Sequence, residues 1–229
     1  MTTWWPYARL AAAALTLAAI IAQLQLTLSN AASASTEWGR HMPTVAANFF
    51  SFFTIQSNLI AAIVLTTAAL WALRQRDPSA AEPRGLAVAL ACASTYMIVT
   101  GIVYNLLLRG VALLPGATVP WSNEVLHVVV PLFLLADVLF APRRRALGWS
   151  AVPIVAVYPI VWVVYTLARS ELIVGPVTGD PWWFPYPFLN WHVIGFGAVA
   201  LYVVGIAAAI IAVAAFVVWT GRRRGIRSS

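Results

Sequence analysis

Lysine is missing from this 229-residue sequence, cysteine occurs once, and charged residues of both signs reach only 9%, against 62% hydrophobic. So little charge cannot cover a water-facing surface, which excludes an ordinary soluble protein and leaves a membrane protein. Cys92 has no partner for an intrachain disulfide, and in its apolar run it reads as a small packing residue. The three histidines, His41, His127 and His192, show no i, i+4 spacing on one helix. With thiolate ligation limited to Cys92, neither a metal nor a haem or other cofactor is expected. A formal charge of +7 would suggest nucleic acid in a soluble chain; here the arginines report topology instead, and no nucleic-acid partner is expected.

Long apolar runs are what the sequence has in abundance. A hydrocarbon core of about 30 Å takes roughly 20 apolar residues of helix to cross. Six stretches qualify, approximately residues 8–28, 45–73, 86–108, 123–140, 150–168 and 193–219. Breaker segments separate them: "SNAASASTEWGRHMP", "RQRDPSAAEPRG", "RGVALLPGATVP", "APRRRALG" and "GPVTGDPWWFPYP". With no internal repeat, separate soluble domain or low-complexity tail, the expected fold class is all-α, a polytopic bundle of six transmembrane helices. Arg9, Arg74, Arg76, Arg84, Arg143, Arg144, Arg145, Arg222, Arg223, Arg224 and Arg227 share the side of the termini, against Arg40, Arg109 and Arg169 on the other. The positive-inside rule then puts both termini in the cytoplasm. Arg9, an apolar run and "ASA" at 32–34 also imitate a signal peptide. The run is long for one, and Trp4, Trp5 and Tyr7 form an interfacial belt, so the first helix is expected to be retained.

Inside the second run, "FFTIQSN" at 52–58 crowds hydroxyls and amides where hydrocarbon cannot solvate them. At 100° per residue, Ser51, Thr54, Asn58 and Ala61 form one stripe, Ser57 lies on its flank, and Gln56 points away. In the fourth run Asn123, Glu124, His127 and Pro131 share a face. Pro131 offers no N–H to the carbonyl of His127, so the helix is expected to bend there. Rise per residue places Thr54 about 8 Å deeper than His127 from the outer helix starts and about 9 Å shallower from the inner ends. The two estimates bracket zero, so the residues can be level if the second helix tilts or protrudes at both ends.

A threonine hydroxyl becomes a nucleophile when a base takes its proton, and histidine suits that role near neutral pH. Ionisable groups in a membrane span suggest function by default. The bland alternative is that Thr54 bonds its own helix backbone while His127 links two helices.

The landmarks "FFTIQSN", "YPIVWVVYTLAR" at 158–169 and "YPFLN" at 186–190 resemble the bacterial Pr6Pr family of integral membrane proteins. More distantly the chain resembles the androgen-induced and androgen-dependent TFPI-regulating proteins, six-helix intramembrane threonine hydrolases. Their W-x-N-x-x-x-H pattern, with a later acid and proline, matches Trp121, Asn123, His127, Asp137 and Pro142, and their late W-x-Y-P segment is approximated by "WWFPYPF" at 182–188. The resemblance implies Thr54 as nucleophile and His127 as its partner, in hydrolysis of fatty acid esters of hydroxy fatty acids. It also implies a bacterial plasma membrane location. Glu124 stands where the distant family has a second histidine, and Pro131 is shifted by one position.

A lipid ester already dissolved in the bilayer can reach a mid-depth site sideways, so the expected partners are membrane lipids and a lipid ester substrate. Ser57, Asn58 and Asn105 are candidates to hold an oxyanion, and Asn123 joins them on the His127 face; each equally serves as an interhelical hydrogen bond. Glu124, one turn from His127, is a candidate to orient the imidazole or simply a solvated first-turn acid. Asp137, about 15 Å along the helix from His127, is too far for a triad and reads as structural. The main rival function is a transporter or lipid-binding protein with a polar cavity, in which Pro153 and Pro159 break the fifth helix. The "PWWFPYPF" loop reads as an interfacial cap or gate over the outer end.

The arginine asymmetry predicts that reporters fused at Arg76, Arg145 and the C-terminus face the cytoplasm, while tags near Ser35 and Gly179 are reached from outside. A cytoplasmic signal at Gly179 would overturn the count of six crossings.

Overall fold

The computed structural model describes residues 4–77, 80–111 and 114–224. Arg227, one of the arginines used for orientation, lies outside the described residues, as do positions 78–79 and 112–113 within two of the breaker segments. The helices are α1 (Trp5–Ala32), α2 (Glu37–Arg40), α3 (Met42–Ser51), α4 (Phe53–Arg74), α5 (Arg84–Val103), α6 (Pro120–Glu124), α7 (Val130–Phe140), α8 (Ala151–Ser170), α9 (Trp191–Ile194) and α10 (Phe196–Arg224). A π-helical turn over Tyr104–Leu108 extends α5, and another over Val125–Val129 joins α6 to α7. Six segments are long and apolar enough to cross a membrane, and they pack as one bundle with no strand among the described residues. The chain is an integral membrane protein.

The most buried spans, α4 and α5, form the centre. The first helix packs on α4, α7 and α10 lie against α5, and α8 closes on α10. Small residues allow these close approaches: Ala19, Ala61, Ala68 and Ala93 are fully buried, with Leu65, Leu90, Met97 and Leu134 filling the space between.

The run at 45–73 is not one helix. It breaks at Phe52, whose backbone is extended (φ −65°, ψ 129°), so α3 ends at Ser51 and α4 begins at Phe53. No proline or glycine marks the place. The break persists because the carbonyls it frees find donors: Phe52 N–H donates to Phe49 O at 3.4 Å, Gln56 Nε2 to Phe50 O at 2.7 Å, and Trp162 Nε1 to Ser51 O at 3.0 Å. On the other side of the break, Thr54 N–H donates to the Tyr186 hydroxyl at 3.1 Å. Hydrocarbon supplies no partners, so without these groups the break would be costly. Gln56, turned away from the stripe as its position requires, is the cap of this break. Ser51 no longer continues the Thr54 stripe; its hydroxyl bonds Ala47 O and Tyr165.

Prolines follow the same rule. Pro153 falls in the first turn of α8, where a backbone N–H has no helical partner to lose. Pro159 lies inside α8 and leaves Val155 O without its usual donor; the Tyr96 hydroxyl fills the gap at 2.9 Å. The fifth span therefore stays a continuous helix over Ala151–Ser170, not the broken one considered from sequence. The sixth is interrupted near its start, where Gly195 (φ +80°) separates α9 from α10 in a conformation that favours glycine.

At the arginine-rich end, Arg9 is buried with Asp137. Its Nε lies 2.8 Å from Oδ1 and its Nη2 3.1 Å from Oδ2, and Trp5 Nε1 donates to Oδ1 at 2.7 Å. Arg9 Nη2 also reaches Glu82 at 3.2 Å, and Arg144 Nη1 lies 3.4 Å from Asp137. Burial pushes the Glu82 carboxyl up from the ordinary carboxylate range. Asp137 thus takes the structural place expected of it, tying α1 to α7 and to Arg144, while Arg9 carries the connection on to Glu82. Loss of one partner from such a buried set would leave an uncompensated charge.

Candidate active site

The Phe52 break sets Thr54 in the first turn of α4, where its N–H is not consumed by the helix. Its hydroxyl meets two groups: His127 Nε2 at 3.2 Å and the Tyr186 hydroxyl at 3.2 Å. The level placement left open by rise arithmetic is thus met by an interrupted helix, the ten residues before the break forming α3.

His127 sits in the middle of the π turn. Its Nδ1 lies 2.9 Å from the Asn123 carbonyl oxygen, which can only accept, so Nδ1 carries the hydrogen and Nε2 presents its lone pair to Thr54. Since Thr54 N–H donates to the Tyr186 oxygen, the phenol proton is free to point at Thr54 Oγ1. A single ordering of protons results: Tyr186 O–H to Thr54 Oγ1, Thr54 O–H to His127 Nε2, His127 Nδ1–H to Asn123 O. The Tyr104 ring stacks on the imidazole at 4.0 Å, held by its own hydroxyl's contact with the Asn123 amide.

The π turn has a local cause. Val130 N–H bonds Val125 O, so Leu126 O loses the donor it would have in an α-helix. Pro131, next in line, has no N–H to offer. Asn58 Nδ2 supplies the missing bond at 3.2 Å while also donating to Thr54 O at 2.9 Å. The carbonyl rescued is Leu126's, one residue before the His127 carbonyl singled out from sequence. Gly101 permits the approach of α5 at this point, since a Cβ there would lie 2.8 Å from Pro131 Cβ and 3.4 Å from His127 O.

The other sequence candidates lie around this pair without touching the Thr54 hydroxyl. Ser57 donates to Thr54 O at 3.1 Å and meets Thr100 at 3.3 Å. Asn105 bonds Gly101 O and Arg109, and the Asn123 amide bonds Tyr104. Glu124 does not orient the imidazole; it pairs with Arg109 at 2.9 Å on the exposed rim, where such a pair contributes little. The remaining histidines are engaged elsewhere, His41 with Thr44 and His192 with Glu171.

Beside Thr54 lies a cavity of about 180 Å³ between α4, α5, α8 and α10. Its polar groups are few, chiefly Thr54, Thr100, Tyr104 and Tyr186; the rest is aliphatic and aromatic. Ile160 and Ile211 line it and are also 58% and 51% exposed, so its wall reaches the lipid-facing surface between α8 and α10.

Sequence reasoning reads the segment holding Tyr186 as a cap and misses the residue itself. Prolines 185 and 187 flank it, and its extended backbone (φ −137°, ψ 140°) is the one a following proline favours. The motif "YPFLN" is the available signal, but no periodicity places a loop residue against a helix.

Compared with known proteins, the chain matches no family model, no curated protein and no solved structure.

Asn58→Leu should lower stability by about 1–3 kcal/mol through the Leu126 carbonyl left without a donor, and Pro131→Ala, by restoring an N–H, should recover part of it. Thermal melting in detergent tests both. A melting point for Asn58→Leu equal to wild type would contradict this origin of the π turn.

Proposed function

We propose that the protein is an intramembrane hydrolase of lipid esters, fatty acid esters of hydroxy fatty acids or similar, with Thr54 as nucleophile and His127 as base. The observation that carries this reading is the Thr54 Oγ1 to His127 Nε2 contact of 3.2 Å, with Nε2 as the acceptor, beside an apolar cavity that meets the bilayer. The proposed setting is the bacterial plasma membrane, with both termini cytoplasmic and the site in the outer half. Membrane lipids surround it, and the ester enters sideways between α8 and α10 with an acyl chain in the cavity.

The steps follow from the proton order. Thr54 Oγ1 attacks the ester carbonyl carbon as its proton passes to His127 Nε2, and the carbonyl electrons move onto oxygen. Collapse of this intermediate breaks the bond to the alcohol oxygen, which takes the proton back from Nε2. Water then enters and attacks the acyl carbon as it gives a proton to Nε2; the bond from that carbon to Oγ1 breaks, Oγ1 takes the proton from Nε2, and the fatty acid leaves with Thr54 restored. No metal or cofactor is required in this scheme.

A transporter or lipid-binding protein with the same cavity is the alternative. The cavity's sparse polarity disfavours a pathway for hydrophilic solutes, while lipid binding without chemistry leaves the Thr54–His127 contact only the role of an interhelical hydrogen bond.

Thr54→Ala and His127→Ala should each reduce ester turnover per folded molecule by about 10²–10⁴-fold, and the double variant should lose little more because the two act as one unit. Turnover and melting temperature are measured on the same preparations. A His127→Ala protein with intact turnover and a depressed melting temperature would make the histidine an interhelical link only.

A further inference from the structure

Tyr186 is held more firmly than a loop residue needs to be. It is buried, its ring stacks on Phe188 at 5.1 Å with planes 6° apart, and Phe52 packs edge-on at 5.6 Å. All of this fixes one hydroxyl, which accepts from Thr54 N–H at 3.1 Å and lies 3.2 Å from Thr54 Oγ1. The same ring lines the apolar cavity.

Acyl transfer needs donors aimed at the oxygen that becomes negative. The donors named from sequence are committed elsewhere: both Asn58 amide hydrogens go to carbonyls, Ser57 bonds Thr54 O, and Asn105 bonds Gly101 O. Beside Thr54 Oγ1 stand two groups that can donate: the Tyr186 phenol, 3.2 Å away, and the Thr54 backbone N–H, which donates to that phenol at 3.1 Å.

We propose that the Tyr186 hydroxyl and the Thr54 backbone N–H form the oxyanion site of this enzyme, making Tyr186 a third catalytic residue. This rests on the hydrolase reading above. Once Oγ1 has bonded the ester carbon, the former carbonyl oxygen sits on that same tetrahedral carbon, next to where Oγ1 lies. The phenol proton, directed at Oγ1 in the resting protein, turns to that oxygen. Thr54 N–H then exchanges the phenol oxygen for the oxyanion, assisted by the positive end of α4. No proton leaves Tyr186: the electron pair from the carbonyl is held by two hydrogen bonds and returns when the alcohol or, later, the acid departs. Burial holds the phenol above its ordinary value, so it remains a donor throughout the neutral range.

The test uses the full chain in detergent micelles with p-nitrophenyl decanoate. Tyr186→Phe should lower kcat by about 10²–10³-fold, with KM nearly unchanged because the bond is made only in the transition state. Thr54→Ala measured alongside separates the two claims. If Thr54→Ala is inactive but Tyr186→Phe turns over within a few-fold of wild type, the oxyanion assignment falls and the Thr/His pair stands. If Thr54→Ala turns over like wild type, the hydrolase reading falls and this assignment with it. Should Tyr186→Phe fold poorly, 3-fluorotyrosine at position 186 keeps ring and hydroxyl while strengthening the donor. It should raise kcat by about twofold or more below the pH at which it ionises, and an unchanged or lowered kcat there would overturn the proposal.

Discussion

The interruption at Phe52 is the constraint on which the site depends. A membrane helix surrenders its hydrogen bonds only where the protein replaces them, since each unpaired backbone group in hydrocarbon costs several kcal/mol. Gln56 and Trp162 take the carbonyls freed at the end of α3, and Tyr186 takes the Thr54 N–H at the start of α4. These replacements convert a long apolar run into a half-helix and a span that starts one residue before the proposed nucleophile. The polar cluster in "FFTIQSN" thereby separates into distinct roles. Gln56 caps the break, Asn58 and Ser57 hold the backbone of Thr54, and the Thr54 side chain alone faces the histidine.

A second adjustment brings the partner helix to meet it. Pro131 and the π turn strip Leu126 O of its helical donor, and Asn58 repairs it from α4. That bond joins the residue before His127 to the residue one turn after Thr54, so a single amide sets the register of two helices. Gly101 admits Pro131 at the same level, and Tyr104 stacks on the imidazole from the π-helical extension of α5. Three spans thus converge on one point, while the buried Arg9–Asp137 pair fastens the opposite end of the bundle.

The six spans are legible in the sequence because hydropathy over about 20 residues has little to do with tertiary partners. The candidacy of Thr54 and His127 is legible from chemistry and the resemblance, whereas rise per residue leaves their relative depth open. The Phe52 break is not legible. "NFFSFFT" holds no proline or glycine, and the groups that stabilise the break include Trp162 on α8 and Tyr186 in the loop after it, over a hundred residues away. Tyr186 is hidden for the same reason, its position being set by packing rather than periodicity. Glu124, drawn to His127 by helical spacing, goes instead to Arg109, a donor at the end of a neighbouring span that one-helix reasoning does not contain.

Under the proposed hydrolase reading, these backbone adjustments present one hydroxyl, that of Thr54, as a nucleophile. Peptide mapping by mass spectrometry after brief exposure to an activated long-chain ester, quenched in acid, tests it most directly. An acyl group is expected on Thr54, lost when His127 is replaced by alanine. Ester turnover with the acyl group on Ser57, or with no acyl adduct on the chain at all, would contradict it.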